Sequence, residues 1–307
     1  MKAKHLTSID EISTEDLLEI MELSREMKDH PEWYRATLAG QSMALIFQKP
    51  STRTRVSFQV GIQQLGGLGL SLGQNELQLG RGETVADTAQ VLSRFVDGIM
   101  ARVFSHDDID VLAKYATVPV INGLSDLLHP CQAICDFFTM EEKFGDCSGL
   151  KVVYVGDGNN VAHSLAYAAA KLGSHLVIAT PGGEYACDET VMARAKATAA
   201  EHGAIIEEVT DVEAAMKGAK VVYSDVWTSM GQEDEAVKRR ADLADYQING
   251  RLFGMADSDA IFMHCLPAHR GEEVTDEVVD HERSVVFDQA ENRLHTQKAV
   301  MALLMGL

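Results

Sequence analysis

Hydroxyl and guanidinium side chains crowd one short segment in the first part of the chain. The segment 49–58 reads Lys-Pro-Ser-Thr-Arg-Thr-Arg-Val-Ser-Phe and follows the apolar run 43–47. If a strand turns into a helix here, the helix start offers unpaired backbone N–H groups and a partial positive charge. Arg53 adds a planar fork suited to phosphate oxygens, whereas the direction of Arg55 is left open. The hydroxyl donors are Ser51, Thr52 and Thr54. The segment therefore predicts an anion site.

A second group of residues is suited to hydrogen-bond the carbonyl and amide groups of a ligand. His129 and Gln132 stand three residues apart in Leu-His-Pro-Cys-Gln. An imidazole N–H can donate to a carbonyl oxygen, and a side-chain amide can bond a second amide. Arg102 ends an apolar run and can point at the same carbonyl. Cys131, inside the motif, is interpreted as a packed thiol.

The second half of the chain carries residues suited to a zwitterion. Asn159 and Asn160 stand at a predicted helix start, directly after an apolar run. Asp225 follows another such run and is placed to pair with an ammonium group. Cys265 follows a third, where its thiol can contact a nucleophile. These positions predict a binding site for a small polar ligand with an amine.

One glycine pattern suggests a dinucleotide but fits it poorly. Gly156 and Gly158 follow a predicted strand, yet Val161 occupies the place of the third glycine. The next predicted strand ends in Thr180-Pro181 rather than in an acid that would bind a ribose. The pattern therefore argues against a nicotinamide-dependent dehydrogenase.

The elements that must position these residues alternate between apolar runs and helical segments. This alternation predicts an α/β protein with two parallel-sheet domains, the C-terminal helix packing back on the first. The expected domains are residues 1–145 with 293–307, and residues 146–292. Because ligands of open parallel sheets bind beyond the carboxyl ends of the strands, the polar residues named above stand in suitable places.

Composition excludes several functions. The formal net charge is −19, so we expect neither nucleic acid nor an anionic membrane as a partner. The acidity fits simple solubility or adaptation to a salty cell interior. The chain shows no apolar signal segment, and its five cysteines have no C-x-x-C spacing. These features predict a cytoplasmic protein with reduced thiols.

Four motifs together resemble the ornithine carbamoyltransferase family, in order and spacing, over essentially the whole chain. They are Ser51-Thr-Arg-Thr-Arg55, His129-Pro-Cys-Gln132, Asp225 with Ser229-Met-Gly231, and His264-Cys-Leu-Pro267. The first two are shared with aspartate carbamoyltransferases and identify only the wider family. The Ser-Met-Gly and His-Cys-Leu-Pro elements are those that indicate ornithine.

The resemblance implies roles for individual residues. It implies that carbamoyl phosphate is bound by Ser51, Thr52, Arg53, Thr54, Gln78, Arg102, His129, Gln132, Cys265, Leu266 and Arg293. It implies that ornithine is bound by Asn160, Asp225, Ser229 and Met230, with Asn159 the less certain of the two asparagines. The residues implied in catalysis are Arg102, His129, Asp225 and Cys265.

The implied reaction transfers the carbamoyl group to the δ-amine of ornithine, giving citrulline and phosphate, in the direction of arginine biosynthesis. It calls for no metal and no organic cofactor. The resemblance also implies a homotrimer with shared active sites, and we expect segment 227–240 to close over ornithine. Two alternatives stay open. One is a transcarbamoylase acting on putrescine, acetylornithine or lysine, and the other is a sensor that binds ornithine or carbamoyl phosphate without turnover.

Overall fold

The computed structural model describes residues 1–77, 82–229 and 231–307 of the chain. It divides into two compact units, Met1–Phe138 with Glu291–Leu307, and Thr139–Ala290. Within these described residues, each unit contains one parallel β-sheet. Within the described stretches, no helix is long and apolar enough to cross a membrane.

The sheet of the first unit has four strands. They are β1 (Ser42–Phe47), β2 (Leu68–Gly73), β3 (Gly98–Arg102) and β4 (Val120–Leu124). Their spatial order is β2-β1-β3-β4, and all neighbours are parallel. Strand β3 is buried at every residue, as expected for a central strand covered on both faces. On the edge strand β2, Leu68 and Leu70 stay exposed.

The sheet of the second unit has five strands. They are β5 (Lys151–Val155), β6 (His175–Ala179), β7 (Ile205–Val209), β8 (Val221–Ser224) and β9 (Ile261–His264). Their order is β7-β6-β5-β8-β9, again all parallel. Apolar side chains from β5, β8 and β9, among them Val153, Val222 and Phe262, form part of its core.

The α-helices connect these strands, precede the first strand and follow the last one. In chain order they are α1 (Thr14–Asp29), α2 (Thr52–Gln64), α3 (Val85–Leu92), α4 (His106–Tyr115), α5 (Pro130–Phe144), α6 (Asn160–Lys171), α7 (Glu189–His202), α8 (Val212–Met216), α9 (Ala236–Asp242), α10 (Gly250–Phe253), α11 (Asp276–Val279) and α12 (Val286–Met305). Several begin at a hydroxyl or carboxylate side chain that accepts a backbone N–H of the first turn, which favours a helix start. Those N-caps include Ser13, Ser51, Thr84, Ser105 and Asp188.

The end of α12 packs within the first unit, as the sequence predicts. Two glycines make room for it, because a Cβ on Gly61 would lie 3.0 Å from Met301 and one on Gly98 would lie 2.8 Å from Met305. The Gln41 side chain also donates to the Met305 carbonyl at 3.0 Å. The predicted α/β fold with two parallel sheets is confirmed.

Each sheet changes its direction of winding next to its first strand. In the first unit the chain moves from β1 outward to β2 and then returns to β3, and Phe47 pairs with Arg102 at the carboxyl ends. In the second unit it moves from β5 outward and then returns to β8, where Val155 pairs with Ser224. Such switch points open a crevice for ligands.

Some elements differ from the sequence-based expectation. The last helix begins at Val286, seven residues before the position 293 at which we expected the C-terminal part of the first domain to start. The edge strands β2 and β7 carry glycines, a serine and glutamates, so they lack the apolar run that marked the inner strands.

Candidate active site

The anion segment lies where its composition predicts. Ser51, in extended backbone, is the N-cap of α2, and its hydroxyl accepts the Thr54 N–H at 3.3 Å. Thr52 and Arg53 are exposed in the first turn, whereas Thr54 is buried. The free end of α2 therefore offers N–H groups, hydroxyls and a guanidinium to an anion.

The direction of Arg55, which the sequence leaves open, is given by its contact with Phe47. Its guanidinium lies 4.9 Å from the centre of the Phe47 ring, a cation–π contact. A second basic residue of the same segment lies four positions before Arg53 in sequence. Lys49 is buried, and its ammonium lies 4.7 Å from the Phe104 ring.

Buried polar side chains join the starts of α2 and α5 to the last helix. Arg293 donates to the Gln132 carbonyl oxygen and lies 3.5 Å from the Thr54 hydroxyl. The Gln132 amide donates to Asp136 at 2.7 Å. Three residues that the resemblance implies in carbamoyl phosphate binding are thus in direct contact, and Arg293 holds the other two.

His129 is a neutral donor in this arrangement. It is buried at the end of the β4–α5 connection, and Arg102 is buried at the end of β3. Burial, and then the positive charges of Arg293, Arg102 and Arg53, hold the pKa of His129 well below its usual value. The imidazole is therefore uncharged at neutral pH, and it keeps one N–H for a carbonyl oxygen.

Cys131 is a packed thiol. Its sulfur lies 3.4 Å from the Asn122 carbonyl oxygen, and burial raises its pKa to about 11. Cys131 lies next to His129 and Gln132 in sequence, but this position does not make it reactive. The thiolate is the nucleophilic form of cysteine, and the raised pKa keeps the thiol protonated.

Asp225 is the centre of the polar cluster in the second unit. It is buried just after β8. Its Oδ1 accepts the Val226 N–H at 2.8 Å and the Cys265 thiol at 2.9 Å. Its Oδ2 accepts the Asn159 side-chain amide at 2.8 Å. Residues that follow three neighbouring strands, β5, β8 and β9, thus meet at one carboxylate.

The two asparagines at the start of α6 have different surroundings. Asn159 is the N-cap, and its carbonyl oxygen accepts the N–H groups of Val161 and Ala162. Asn160 is the first helical residue and half-buried, and its backbone carbonyl accepts the Ser164 hydroxyl at 2.9 Å. The contact with Asp225 comes from Asn159. A preferred N-cap residue just before an apolar helix was the available signal for its local role.

The backbone after β9 has an unusual geometry. Leu266 has a φ of 59° and precedes Pro267 through a cis peptide bond. Its N–H donates to His264 Nδ1 at 2.9 Å, so the proton of a neutral His264 is on Nε2, which faces Glu273 at 3.2 Å. Both His264 and Glu273 are fully buried. These contacts fix the peptide that carries Cys265 and Leu266.

The donor atoms of Asp225, His264 and Cys265 lie within 4.8 Å of one another. They are engaged in the hydrogen bonds described above, from Cys265 to Asp225 and from Leu266 to His264. A metal ion here would have to displace both bonds.

Two predicted ligands of the site cannot be placed. Gln78 and Met230 lie outside the described residues. Ser229 is half-buried, and its N–H donates to the Gln232 side chain at 3.1 Å.

A buried arginine that the motifs did not indicate lies beside this segment. Arg239, on α9, donates to Asp157 Oδ2 at 2.8 Å and to the Trp227 carbonyl at 3.1 Å. It also donates to Glu235 at 2.9 Å and lies 5.4 Å from the centre of the Tyr185 ring. Arg239 thereby connects α9 to the loops that follow β5 and β8.

Comparison with known proteins agrees with these features. Residues 4–142 match the aspartate/ornithine carbamoyltransferase carbamoyl-P binding domain, and residues 148–304 match the corresponding Asp/Orn binding domain. An ornithine carbamoyltransferase of Thermococcus kodakarensis is 64% identical over 88% of this chain and 85% of its own length. An anabolic ornithine carbamoyltransferase of Pyrococcus furiosus is 55% identical over 100% of this chain and 98% of its own.

A solved structure extends this agreement to the fold. The ornithine carbamoyltransferase from Pyrococcus furiosus superposes with a TM-score of 0.95 at 56% identity, covering 98% of this chain and 97% of that one. The resemblance inferred from four short motifs is confirmed, and the chain belongs to the aspartate/ornithine carbamoyltransferase family.

Proposed function

We propose that the protein transfers the carbamoyl group of carbamoyl phosphate to the δ-amine of L-ornithine, giving L-citrulline and phosphate. The observation that carries the proposal is the buried Asp225 carboxylate, which receives the Cys265 thiol at 2.9 Å at the carboxyl edge of the second sheet. A fixed carboxylate beside a thiol suits an amino-acid substrate with a free ammonium group. The relatives named ornithine carbamoyltransferase support the same substrate.

In this proposal the first unit binds carbamoyl phosphate. Its phosphate is bound by the start of α2, through the residues Ser51, Thr52, Arg53 and Thr54. Gln132 binds the amide of carbamoyl phosphate, and Arg102 with neutral His129 donates to its carbonyl oxygen. Arg293 holds Gln132 and Thr54 in place. Gln78, outside the described residues, is assigned to the same substrate by resemblance alone.

Ornithine is assigned to the second unit. Asp225 pairs with an ammonium group of the substrate, while Asn160, Ser229 and Met230 complete its binding. Cys265 and the backbone of Leu266 contact the reacting groups. Both residues are held by the buried pair His264 and Glu273.

The chemistry follows from these roles. The δ-amine, with an ordinary pKa near about 10, must release a proton to solvent before its nitrogen attacks the carbonyl carbon. The new N–C bond places negative charge on the carbonyl oxygen, where each positioned donor lowers the barrier by about 3–4 kcal/mol. The C–O bond to phosphate then breaks, the departing phosphate takes the second proton of the attacking nitrogen, and Arg53 with the start of α2 stabilises the phosphate. Holding both substrates in line contributes further to the rate.

The wider setting belongs to the same proposal. The anabolic relative of Pyrococcus furiosus supports arginine biosynthesis as the direction. All five cysteines are free thiols, which supports the cytoplasm. The exposed apolar side chains Val56, Leu68 and Leu70, on α2 and the edge strand β2, support self-association, and the family resemblance assigns the assembly as a homotrimer.

The test is citrulline formation from carbamoyl phosphate and ornithine, with putrescine, acetylornithine and lysine assayed in parallel. We expect turnover with ornithine and a preference of at least about 100-fold in kcat/KM over acetylornithine, because its acylated α-amine leaves Asp225 without an ammonium partner. Lysine differs from ornithine by one methylene, for which we expect a preference of about 10- to 200-fold, and putrescine lacks the carboxylate of the amino acid. A preference for another amine would contradict the assignment of the second unit. Binding of both ligands without product would instead indicate a sensor.

A further inference from the structure

Asn159 uses both ends of its side-chain amide. The carbonyl end accepts from the start of α6, and the NH₂ end donates to Asp225 Oδ2 at 2.8 Å. We propose that Asn159 is a positioning residue for the transfer reaction, which fixes the Asp225 carboxylate in the orientation that receives the substrate ammonium. This inference rests on the proposed function and adds to it a residue outside the set of ligands.

The orientation of the Asn159 amide is determined by its neighbours. Its oxygen lies 2.9 Å from the Val161 nitrogen, 3.2 Å from the Ala162 nitrogen and 3.2 Å from the Tyr154 hydroxyl. The two backbone N–H groups can only donate, whereas the Tyr154 hydroxyl can donate or accept. Turning the amide over would point its NH₂ at those donors and its oxygen at the Asp225 carboxylate. The NH₂ group must therefore face Asp225.

The amide is also held on a rigid base. Tyr154 is fully buried in β5, and its hydroxyl lies 2.9 Å from the Asp157 carbonyl oxygen. Burial, with nearby acids that include Asp225, raises the pKa of Tyr154 well above its usual value, so the hydroxyl stays a donor. The start of α6 and the Asn159 side chain thus form one hydrogen-bonded unit beside Asp225, and the Tyr154 hydroxyl of the central strand packs against it at 3.2 Å.

The contact matters because both carboxylate oxygens of Asp225 are fixed from opposite sides. Oδ1 accepts from Val226 and Cys265, and Oδ2 accepts from Asn159. Without the Asn159 donor, the Asp225 carboxylate can rotate away from the orientation in which it receives the ornithine ammonium group. Ornithine is then no longer aligned for attack on the carbonyl carbon. A lost hydrogen bond to a charged group corresponds to about a 10- to 100-fold effect, and misaligned reactants lose rate steeply.

The variant Asn159→Asp separates this role from helix capping. Aspartate is as good an N-cap as asparagine, so the bonds to Val161 and Ala162 persist, but a second carboxylate now faces Asp225. Asn159→Ser also retains a cap and is too short to reach Asp225. The matched control is Asn249→Asp, because Asn249 caps α10 through the Leu252 N–H at 3.0 Å and has no part in the proposed site.

The measurements are kcat and KM for each substrate from pH 5.5 to 8.5, together with the melting temperature. For Asn159→Asp we expect kcat/KM for ornithine to fall about 10- to 100-fold at pH 8, with an unchanged KM for carbamoyl phosphate. Two facing carboxyls share a proton at lower pH, and that proton restores a donor to Asp225. The deficit relative to wild type should therefore shrink as the pH falls, whereas Asn159→Ser should show a constant deficit.

An unchanged ornithine KM and kcat in Asn159→Asp, or a deficit that does not depend on pH, would overturn the inference. A loss that follows the melting temperature and affects both substrates equally would reduce Asn159 to a helix cap. The assay of the wild-type protein tests the proposed function independently of the variants. If the wild-type protein carbamoylates another amine, the Asn159 variants are compared with wild type on that amine. If the wild-type protein carbamoylates no amine, both the proposed function and this inference are wrong.

Discussion

At the scale of single residues, the five cysteines differ in their surroundings. Cys265 is half-buried beside Asp225, whereas the other four are buried. Burial raises the pKa of Cys131 to about 11 and that of Cys147 to about 12, and it also raises the pKa of Cys187. With a pKa of about 11, only about one Cys131 in a thousand is a thiolate at pH 8.

We therefore expect iodoacetamide to modify Cys265 first and to abolish citrulline formation in proportion. Peptide mass spectrometry identifies the modified site, and bound ornithine should slow the reaction. Cys265→Ala should remove the first adduct, while Cys131→Ala should leave it in place. Modification of Cys131 ahead of Cys265, or full activity after Cys265 is modified, would contradict this prediction.

The motifs predicted which residue types gather at each sheet, but not which neighbour makes each contact. Arg102 and His129 lie at or after strand ends of the first sheet, and Asp225 and Cys265 follow strands of the second. Because parallel strands bring their carboxyl ends together, the grouping within each sheet could be inferred. Asn159 and Asn160 are adjacent, and successive helical residues point about 100° apart. Only the three-dimensional placement of α6 determines that Asn159 reaches Asp225.

At the scale of elements, Arg239 connects α9 to two strand ends. Its guanidinium donates to Asp157, Trp227 and Glu235 in one fork. Burial raises the pKa of Asp157 while the charge of Arg239 opposes that rise. Breaking such a buried pair is costly, on the order of 3–5 kcal/mol, because the remaining charge is left without its partner.

We expect Arg239→Lys to raise the KM for ornithine about tenfold and to lower the melting temperature. Lysine keeps the charge but cannot bond three acceptors in fixed directions, so the loop that carries Ser229 loses its anchor. The matched control is Arg240→Lys, because Arg240 is exposed and pairs with Glu272 at 3.1 Å. Steady-state kinetics and thermal denaturation measure both effects. Equal results for the two variants would contradict an anchoring role.

Inner strands and edge strands were not equally predictable. Strands β1, β3 and β5 are continuous apolar runs because both faces are covered. Strand β2 reads Leu-Gly-Leu-Ser-Leu-Gly and β7 reads Ile-Ile-Glu-Glu-Val, patterns that loops also show. Their strand conformation depends on pairing with β1 and β6, residues distant in sequence, which no local pattern records.

At the scale of the whole molecule, an acidic chain must bind an anionic substrate. The net charge of −19 repels phosphate at long range, although salt screens that repulsion beyond about 8 Å at physiological ionic strength. Arg53, Arg102 and Arg293 surround His129 closely enough to lower its pKa. The local concentration of guanidiniums, rather than the overall charge, determines what the first unit can bind.

Positive charges near two histidines also make the stability of the fold depend on pH. Burial, then the charges of Lys298 and Lys28, lower the pKa of His295 on α12 to about 4. Burial and arginines lower the pKa of His129 as well. In the unfolded chain both histidines titrate near about 6.5. Between these values the unfolded state binds protons that the folded state does not, so acidification favours unfolding.

We therefore expect the free energy of unfolding to fall as the pH drops from about 6.5 toward 4, with His295 contributing about 3 kcal/mol of that loss. His295→Gln should lose less stability over this range than wild type, because the variant has no group there to protonate on unfolding. The exposed His202 provides the control variant His202→Gln, whose pH dependence should follow wild type. Melting temperatures from pH 4.5 to 7.5 measure the difference. A variant at position 295 with the wild-type slope would show that protonation elsewhere drives the acid sensitivity, since the Lys28 and Lys298 charges would then not act through this imidazole.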